Sequence, residues 1–326
     1  MGAKMQAIAI DGDGGLALAE LDRPEAGTGE VVIDIRAAGV NRADLLQRRG
    51  VYPPPAGAPD TMGLECAGVV SAVGTGVSRW AVGDQVCALL SGGGYAGAVA
   101  VDEGSVLPMP AGMDFVQAAC LPEAMMTVWA NVFLQSALQP GEAFLCQGGT
   151  SGIGVMAIQM AREWGASAIF ATAGSDAKVQ VMADLGASRP INYRSEDFTA
   201  VVNDAGGADV VLDMVGGDYV QQHIGLIRQD GRICNIAYQN GPKVSLNLLP
   251  LMLKRATLTG TTLRARKAGE KRALRDAVET HFWGKVESGA IKPVLDSQFP
   301  LAEADAAQAR MQEGGHVGKI VLTVGA

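Results

Sequence analysis

The sequence predicts an α/β protein that combines a doubly wound parallel sheet with a β-rich, partly barrel-shaped domain. Two observations lead to this prediction. From about Thr127 onward, apolar runs of strand length alternate with segments of helical periodicity, which is typical of strands joined by crossover helices. Before that point the apolar runs are short, and glycine-rich turns separate them. The chain has 326 residues, enough for about two domains.

The N-terminal part of the chain predicts strands joined by turns, with little helix. Strands are expected at residues 5–10, 30–37, 68–73, 85–90 and 96–101. Helices are expected at residues 43–48 and from Phe115 onward. This pattern favours an all-β core.

The middle part predicts six strands with helices between them. The strands are expected at residues 143–147, 168–172, 189–192, 210–214, 232–236 and 256–261. The helices are expected at residues 153–164, 177–185, 196–204 and 219–227. Six strands with crossover helices predict the doubly wound arrangement.

The C-terminal part predicts a helical stretch at 270–289, a strand at 294–299, a helix at 302–313 and a last strand at 319–324. We expect this tail to pack on the N-terminal domain. That domain would then be discontinuous and comprise residues 1–124 and 268–326. The α/β domain would comprise residues 125–267.

A glycine-rich turn follows the first strand of the α/β domain. Gly149, Ser151 and Gly154 occupy the three positions of a dinucleotide-binding fingerprint, with serine in place of the middle glycine. Such a turn presents backbone N–H groups and a helix N-terminus to a pyrophosphate. The residues expected to line the site are Gly149, Ser151, Gly152, Ile153 and Gly154.

The end of the second strand predicts which nicotinamide cofactor binds. NAD-binding proteins place an acidic residue there, about 20 residues after the glycines, to hold the ribose 2′-hydroxyl. This chain has Ala173, Gly174 and Ser175 instead, followed by Lys178 and, in the next loop, Tyr193. A cation and hydroxyl donors attract a 2′-phosphate, so NADPH is favoured over NADH. The alternative is that Lys178 is an ordinary solvated helix lysine.

Composition argues against several classes of partner. The net charge of −8 and the pI of about 5.0 disfavour nucleic acid and anionic membranes as partners. The sequence contains no apolar run of transmembrane length, and its first residues lack the pattern of a signal peptide. The five scattered cysteines predict buried free thiols in a reducing compartment, and a cytoplasmic location is expected.

Several segments of the chain resemble a known family. They are Asn41-Arg-Ala-Asp44 with residues 50–55, Gly63-Leu-Glu65 with Gly68, the turn at 148–154 with residues 191–193, and residues 318–322. Together they resemble the zinc-independent, zeta-crystallin-like NADPH:quinone oxidoreductase branch of the medium-chain dehydrogenase/reductase superfamily. The resemblance covers essentially the whole chain. It implies a GroES-like β domain, a Rossmann domain and NADPH as cofactor.

The resemblance also implies that no metal is bound. Asn41 and Leu64 stand where zinc-dependent relatives have cysteine and histidine, and residues 91–95 lack the cysteines of their second zinc site. His223, His281 and His316 do not pair with a cysteine at the spacing of zinc ligands. We expect each histidine to be an ordinary surface or partly buried residue.

Without a metal there is no strong Lewis acid, so the acceptor must take up hydride easily. Quinones and conjugated enones meet this condition. Asn41 and Tyr52 are the predicted catalytic residues, as hydrogen-bond donors to the acceptor oxygen. Asn41 stands at the position of a metal ligand in the resembled family, and Tyr52 lies in a proline-rich loop where a phenol can stack on a ring and donate its proton. The alternatives are a turn-stabilising asparagine and a packing tyrosine.

The resemblance and the strand-end rule assign the remaining site residues. Thr127 matches the family position beside the nicotinamide, and Lys319 matches one that reaches the pyrophosphate. Tyr238 and Gln239 follow a strand, and ligands bind outside the carboxyl ends of such strands. The alternatives are a helix cap for Thr127 and a solvated strand-edge lysine for Lys319. Asp44 and Glu65 are interpreted as structural.

The leading functional hypothesis is an NADPH:quinone reductase that acts on a small-molecule acceptor. An NADPH-dependent enone or enoyl (alkenal) reductase is the first alternative, since only the acceptor differs. An NADPH-binding protein with a structural or RNA-binding role is the second, although the acidic balance weighs against RNA. The family resemblance also predicts a homodimer or homotetramer, formed through the last Rossmann strand near Leu258.

Overall fold

The computed structural model describes residues 3–12 and 14–325, which form two compact units. The first, here called the β unit, contains the chain up to Met126, Arg264–Glu287 and the chain from Pro293 onward. The second, the α/β unit, contains Thr127–Leu263 and Ser288–Lys292.

The strands of the described residues are β1 Lys4–Ile10, β2 Leu16–Asp22, β3 Glu30–Val40, β4 Glu65–Val73, β5 Gln85–Leu89, β6 Ala98–Asp102, β7 Val106–Pro108, β8 Ala143–Cys146, β9 Ala168–Ala173, β10 Arg189–Asn192, β11 Ala208–Asp213, β12 Ile227–Asn235, β13 Thr257–Gly260, β14 Leu295–Pro300 and β15 Lys319–Thr323.

The α-helices are α1 Arg42–Arg48, α2 Phe115–Ala118, α3 Pro122–Val128, α4 Gly152–Trp164, α5 Asp176–Leu185, α6 Phe198–Asp204, α7 Tyr219–Leu226, α8 Leu249–Leu253, α9 Ala268–Val278, α10 Gly284–Glu287 and α11 Ala304–Glu313. Wider π-helical turns at Trp129–Gln135 and Glu279–Trp283 continue α3 and α9. Short 3₁₀ turns occur at Glu103–Ser105 and Leu301–Glu303.

The β unit is built on one sheet with the strand order β14-β15-β3-β4-β5-β7, and β6 also pairs with β3. The last strand, β15, lies antiparallel to β3, with Ile320 opposite Val40. The sheet therefore places the start of β15 beside the end of β3 and the start of β4. Strand β1 forms a hairpin with β2.

The α/β unit has a parallel sheet with the strand order β10-β9-β8-β11-β12-β13. Numbered within this unit, the order is 3-2-1-4-5-6, that of the doubly wound dinucleotide-binding fold. Strand β8 is an uninterrupted apolar run, Ala-Phe-Leu-Cys, and all four residues are buried. Such a run is typical of a central parallel strand covered on both faces. The strand order reverses between β8 and β11, which is where ligands bind in such sheets.

The predicted fold class is confirmed, and the strands of the α/β unit lie close to their predicted positions. The sequence prediction missed β2, β7, α8 and the helical segment that begins at Pro122. Most residues of β2 are at least partly exposed, so it shows no clear apolar stripe. Helix α8 consists of Leu-Pro-Leu-Met-Leu and has no polar face to mark its period.

The two units divide the chain at different places from those predicted. Arg264 belongs to the β unit, where its guanidinium donates to the carbonyl oxygen of Ser91 at 2.8 Å. Residues 288–292 belong to the α/β unit, where the side chain of Gln159 forms a reciprocal pair of hydrogen bonds with the backbone of Lys292, at 2.9 and 3.0 Å. Hydrogen bonds between residues so far apart in the chain cannot be predicted from the local sequence, so neither could these domain boundaries.

Candidate active site and dinucleotide site

The glycine turn joins β8 directly to α4. Gly148 has a φ of +70°, which favours glycine. A Cβ on Gly154 would lie 2.3 Å from the carbonyl oxygen of Gly148 and 2.7 Å from the Cα of Gly149. Only glycine at position 154 therefore lets the chain wind from strand into helix within this turn.

Ser151, at the middle position of the fingerprint, caps α4. Its Oγ accepts from the backbone N–H of Gly154 at 3.0 Å and lies 3.3 Å from Sδ of Met214. The hydroxyl thus fills the inside of the turn, which explains how serine replaces glycine. Among residues 3–12 and 14–325, no group accepts from the N–H groups of Gly152 and Ile153. Unpaired N–H groups at the positive end of a helix are the kind of donors that bind a phosphate, so the predicted pyrophosphate contact at Gly152 and Ile153 stays a prediction.

The end of β9 is covered by the loop that follows β10. A Cβ on Gly174 would lie 2.5 Å from the hydroxyl of Tyr193 and 3.3 Å from Nε of Arg194. Next to it, Ser175 caps α5 by accepting from the N–H of Lys178 at 3.4 Å. The predicted 2′-phosphate residues Gly174, Ser175, Lys178 and Tyr193 therefore share one end of one strand.

The structure adds Arg194, which the sequence reasoning did not select, to this group. Arg194 is exposed, and within the described ranges its guanidinium forms no ion pair or hydrogen bond with the protein. The nearby acidic residue Asp176, in the first turn of α5, is paired with a different side chain, because its carboxylate accepts from Asn192 at 2.6 Å. Arg194 directly follows Tyr193 in the sequence, so its position next to a predicted 2′-phosphate residue could have identified it.

A chain of buried polar side chains lies beneath the glycine turn. Thr172 accepts from the N–H of Gly148 at 3.3 Å and donates to Oε1 of Gln147 at 2.6 Å. Nε2 of Gln147 is 2.9 Å from Nε2 of His223, so this ring nitrogen accepts and the proton is assigned to Nδ1. Nδ1 lies 3.6 Å from the carboxylate of Asp213. The chain therefore connects the ends of β8, β9 and β11.

The prediction that His223 is a surface or partly buried residue is wrong, because its side chain is 0% exposed. Burial lowers the pKa of His223 to about 4, while Asp213 opposes the shift. The imidazole is neutral at physiological pH and has a structural role within the polar chain.

Asp213 holds the turn after β11, against which Tyr238 packs. Its carboxylate accepts from the N–H groups of Val215 at 2.7 Å and Gly216 at 3.2 Å. Gly216 has a φ of +66°, and a Cβ there would lie 2.6 Å from the ring of Tyr238. Tyr238 and the neighbouring Gln239 are exposed at the carboxyl ends of β11 and β12.

Thr127 is buried in the last turn of α3. Its carbonyl oxygen accepts from Nδ2 of Asn131 at 2.7 Å. The helix begins at Pro122, so the alternative of a helix cap is wrong for Thr127. Its contact with a nicotinamide stays a prediction.

Asn41, in the β unit, caps α1 and lies at the centre of a buried polar cluster. Its Nδ2 donates to Glu65 at 2.9 Å and to the carbonyl oxygen of Gly39 at 3.3 Å. Its Oδ1 accepts from Nζ of Lys319 at 2.7 Å. The side chain is 8% exposed.

Lys319 does not have the position expected from the sequence. It is 3% exposed, forms an ion pair with Glu65, and also donates to Asn41 and to the carbonyl oxygen of Val40 at 3.2 Å. All three hydrogens of its ammonium group are used, so the structure contradicts both a role at the pyrophosphate and the alternative of a solvated strand-edge lysine. Burial alone would lower the pKa of Lys319, but Glu65 outweighs burial and the pKa is raised.

Asp44 completes the cluster. Its carboxylate accepts from the N–H of Asn41 at 2.7 Å, the N–H of Gly63 at 3.2 Å and the hydroxyl of Tyr95 at 3.0 Å. Burial raises the pKa of Asp44 to about 6, against the effect of these donors, so it is ionised at neutral pH. This geometry agrees with a structural role for Asp44.

Tyr52 belongs to the same unit, follows α1 and is partly buried. The guanidinium of Arg264 lies 5.6 Å from the ring centre and donates to the carbonyl oxygen of Tyr52 at 3.3 Å. Burial, followed by the charge of Glu123, raises the pKa of Tyr52. Within the described part of the chain, no protein group hydrogen-bonds to the hydroxyl, so this protonated donor is available to a ligand.

Two buried cations of the β unit, Arg264 beside Tyr52 and Lys271, were missed by the sequence reasoning. Arg264 donates to Gln47 at 2.7 Å, and Lys271 donates to the hydroxyl of Ser91 at 2.5 Å. Burial lowers the pKa of both Arg264 and Lys271. Neither residue stands in a recognisable motif, because the hydrogen-bond partners lie 217 residues away for Arg264 and 180 residues away for Lys271.

The described residues contain no group of three or more His, Cys, Asp or Glu side chains arranged to hold a metal ion. The predicted burial of the five cysteines as free thiols is confirmed. In the part of the chain that the structure describes, no helix has the length and apolar character needed to cross a bilayer.

Both units match known protein families. Residues 27–111 match a family described as alcohol dehydrogenase GroES-like domain, and residues 152–279 match one described as zinc-binding dehydrogenase. A curated relative, the synaptic vesicle membrane protein VAT-1 homolog of Rattus norvegicus, is 31% identical over 318 residues, which are 93% of this chain and 78% of that protein.

Solved structures show the same similarity. The quinone oxidoreductase from Thermus thermophilus, whose structure was also solved in complex with NADPH, is 30% identical with a TM-score of 0.83, covering 98% of this chain and 99% of that one. The CurK enoyl reductase is 29% identical with a TM-score of 0.86 and the same coverage.

The buried ion pair yields a prediction about stability. Replacing Lys319 by methionine leaves the Glu65 carboxylate buried without its cation, which should lower the free energy of unfolding by about 3–5 kcal/mol. Urea denaturation at pH 7 would measure this loss. Adding Glu65→Gln to Lys319→Met should recover part of it. A single variant as stable as the wild type, or a double variant less stable than the single one, would contradict the assignment.

Proposed function

This chain belongs to the zinc-independent, quinone oxidoreductase-like branch of the medium-chain dehydrogenase/reductase superfamily, and we propose that it is an NADPH-dependent quinone reductase. The proposal rests above all on the end of β9, where Tyr193 and Arg194 lie over Gly174 and no carboxylate occupies the 2′-hydroxyl position. The similarity to a quinone oxidoreductase crystallised with NADPH supports both the cofactor and the acceptor.

The residues of the α/β unit fit a dinucleotide phosphate. The N–H groups of Gly152 and Ile153 would bind the pyrophosphate, and the end of β9 would bind the 2′-phosphate through Ser175, Tyr193 and Arg194. Lys178 adds a positive charge one turn further along α5. NADPH, when bound, supplies the hydride.

In the proposed reaction the β unit supplies the hydrogen bonds to the acceptor. The hydroxyl of Tyr52 donates to the oxygen on which negative charge develops. Asn41 would contribute the hydrogen that now makes the long 3.3 Å contact with Gly39. The cation of Arg264, over the ring of Tyr52, favours negative charge on that oxygen. These groups stabilise a quinone or enone that is being reduced and need no metal.

An enoyl or enone reductase is the second candidate, because CurK is an enoyl reductase with a similar fold and sequence. The same donors would stabilise an enolate oxygen as well as a hydroquinone oxygen. A nucleotide-binding role with RNA is less favoured, because the net charge of −8 provides no general attraction for a polyanion. A comparison of quinone and enone acceptors under NADPH would distinguish the two enzymatic activities.

We further propose that two copies of the chain pair through the edge strand β13. In the described residues β13 pairs only with β12, so its outer edge has unpaired backbone groups. Helix α8, three residues before it in the chain, exposes Leu249, Met252 and Leu253. An edge strand next to exposed apolar side chains suits a two-fold contact with a second copy.

The cofactor assignment predicts that NADPH binds at least about tenfold more tightly than NADH, a difference of about 1.4 kcal/mol. Replacing Arg194 or Lys178 by alanine should weaken NADPH alone, because NADH has no 2′-phosphate. Fluorescence titration of both cofactors would measure these affinities. Arg189→Ala is the control, since Arg189 lies at the opposite end of β10. Equal affinities of the wild-type protein for both cofactors would contradict the assignment.

The acceptor assignment predicts that Tyr52→Phe and Asn41→Ala lower kcat/KM for a quinone by roughly ten- to hundredfold, about 1.4–2.7 kcal/mol. The loss should appear in hydride transfer, because the donors act on the developing oxyanion. NADPH affinity should change much less in Tyr52→Phe. Single-turnover oxidation of bound NADPH by excess quinone would measure this step. Unchanged transfer in both variants would mean that the two side chains only shape their loops.

The oligomer assignment predicts that a double variant, Leu249→Glu with Met252→Glu, shifts the protein from dimer or tetramer toward a smaller species. Two buried charges in an apolar contact oppose association. Analytical ultracentrifugation over a range of concentrations would measure the shift. Leu18→Glu, on exposed β2 of the β unit, is the matched control. A wild-type protein that is monomeric at all concentrations would contradict the proposal.

A further inference from the structure

Glu123 is a third carboxyl group at the buried cluster of the β unit, beside Asp44 and Glu65. The reaction proposed above gives it no role. It lies in the first turn of α3, partly buried. Its backbone N–H donates to Oε2 of Glu65 at 3.0 Å. Because Oε1 of Glu65 binds Lys319 and Asn41, Glu123 sits directly against the buried ion pair.

The carboxyl of Glu123 differs from the two other carboxylates of the cluster in its partners. Asp44 and Glu65 each accept three hydrogen bonds or ionic contacts from protein donors. Among residues 3–12 and 14–325, no protein donor bonds to the carboxyl of Glu123. Hydrogen bonds from protein donors stabilise the ionised form of a carboxylate. A carboxyl group without such donors takes up and releases a proton more readily.

Six charged or titratable groups face Glu123. They are Glu65 on β4, Lys319 on β15, Asp44 on α1, Lys271 on α9, Tyr52 in the loop after α1, and Arg264. The carboxylates of Glu65 and Asp44 disfavour a third negative charge, and the ammonium groups of Lys319 and Lys271 favour it. Burial and Glu65 dominate and raise the pKa of Glu123 to about 8. The carboxyl of Glu123 is therefore mostly protonated at neutral pH. It lies close enough to Tyr52 to affect the pKa of that phenol.

We propose that Glu123 is a general acid that donates its proton to the acceptor oxygen after hydride transfer. This inference rests on the reductase function proposed above. Hydride addition converts a quinone into a hydroquinone monoanion, whose charge is on the oxygen that Tyr52 contacts. The O–H bond of Glu123 then breaks, a new O–H bond forms on the product, and a carboxylate remains at Glu123. Proton uptake from water restores the acid, so atoms and charge balance.

The proposal makes the reaction depend on pH in a defined direction. The donor form of Glu123 is present below pH 8 and is lost above it. Single-turnover reduction of 1,4-naphthoquinone should therefore slow as the pH rises through about 8. Glu123→Gln should be slower by at least about tenfold at pH 7 and should lose this dependence on pH. Glu123→Asp should recover part of the rate, and Glu20→Gln, an exposed residue, should match the wild type.

A second readout needs neither cofactor nor acceptor. The folded-state pKa of Glu123 lies above the unfolded value, so its contribution to stability is present below about pH 4.5 and is lost as the pH rises toward 8. The Tm of the wild-type protein should therefore fall relative to that of Glu123→Gln between pH 5 and pH 8. A constant Tm difference would mean that Glu123 titrates normally and would overturn the proposal.

The outcomes separate this proposal from the reductase function. A Glu123→Gln variant with the rate and pH profile of the wild type would overturn the acid role and leave the reductase function standing. An equal loss of rate at every pH, with the dependence near pH 8 retained, would also overturn it, because that pattern indicates a structural defect. A wild-type protein that reduces neither quinone nor enone with NADPH would contradict the reductase function itself.

Discussion

The buried ion pair between Lys319 and Glu65 is the interaction on which the β unit depends most. It joins the first residue of β15 to the first residue of β4, across the end of β3, where Asn41 bonds to both. A buried charge is tolerated only when its hydrogen bonds are complete, and both partners here meet that condition. The pair therefore fixes how the C-terminal strand joins the N-terminal sheet, and with it the position of Asn41.

The α/β unit also contains buried polar side chains, and most of them are neutral. Gln147, Thr172 and His223 form a chain of buried hydrogen bonds that ends at Asp213. This chain links the glycine turn to the turn on which Tyr238 packs. The glycine turn is thus held by the buried side chain of Thr172, and the turn after β11 by that of Asp213. Such anchoring keeps backbone donors in place before a ligand arrives, which lowers the entropic cost of binding.

Local patterns predicted the fold and selected most residues of the candidate dinucleotide site, because strand length, helical period and glycine turns depend on residues that are close together in the sequence. Gly154 and Ser151 have the positions that the fingerprint indicates. The burial of Lys319 could not be predicted in this way, because its partner Asn41 is 278 residues away. The same holds for Arg264, whose contacts with Tyr52 and Ser91 span the whole α/β segment. Cluster residues such as these emerge only from tertiary structure.

The central claim is that this protein moves hydride from NADPH to a quinone without a metal, using side-chain donors of the β unit. Its most direct test is the oxidation of bound NADPH that carries deuterium at the transferable C4 position, in chelator-treated protein with excess 1,4-naphthoquinone. The claim predicts complete oxidation in one turnover, one hydroquinone per NADPH, and a slower reaction with deuterium than with hydrogen. Tightly bound NADPH that stays reduced in excess quinone would contradict it.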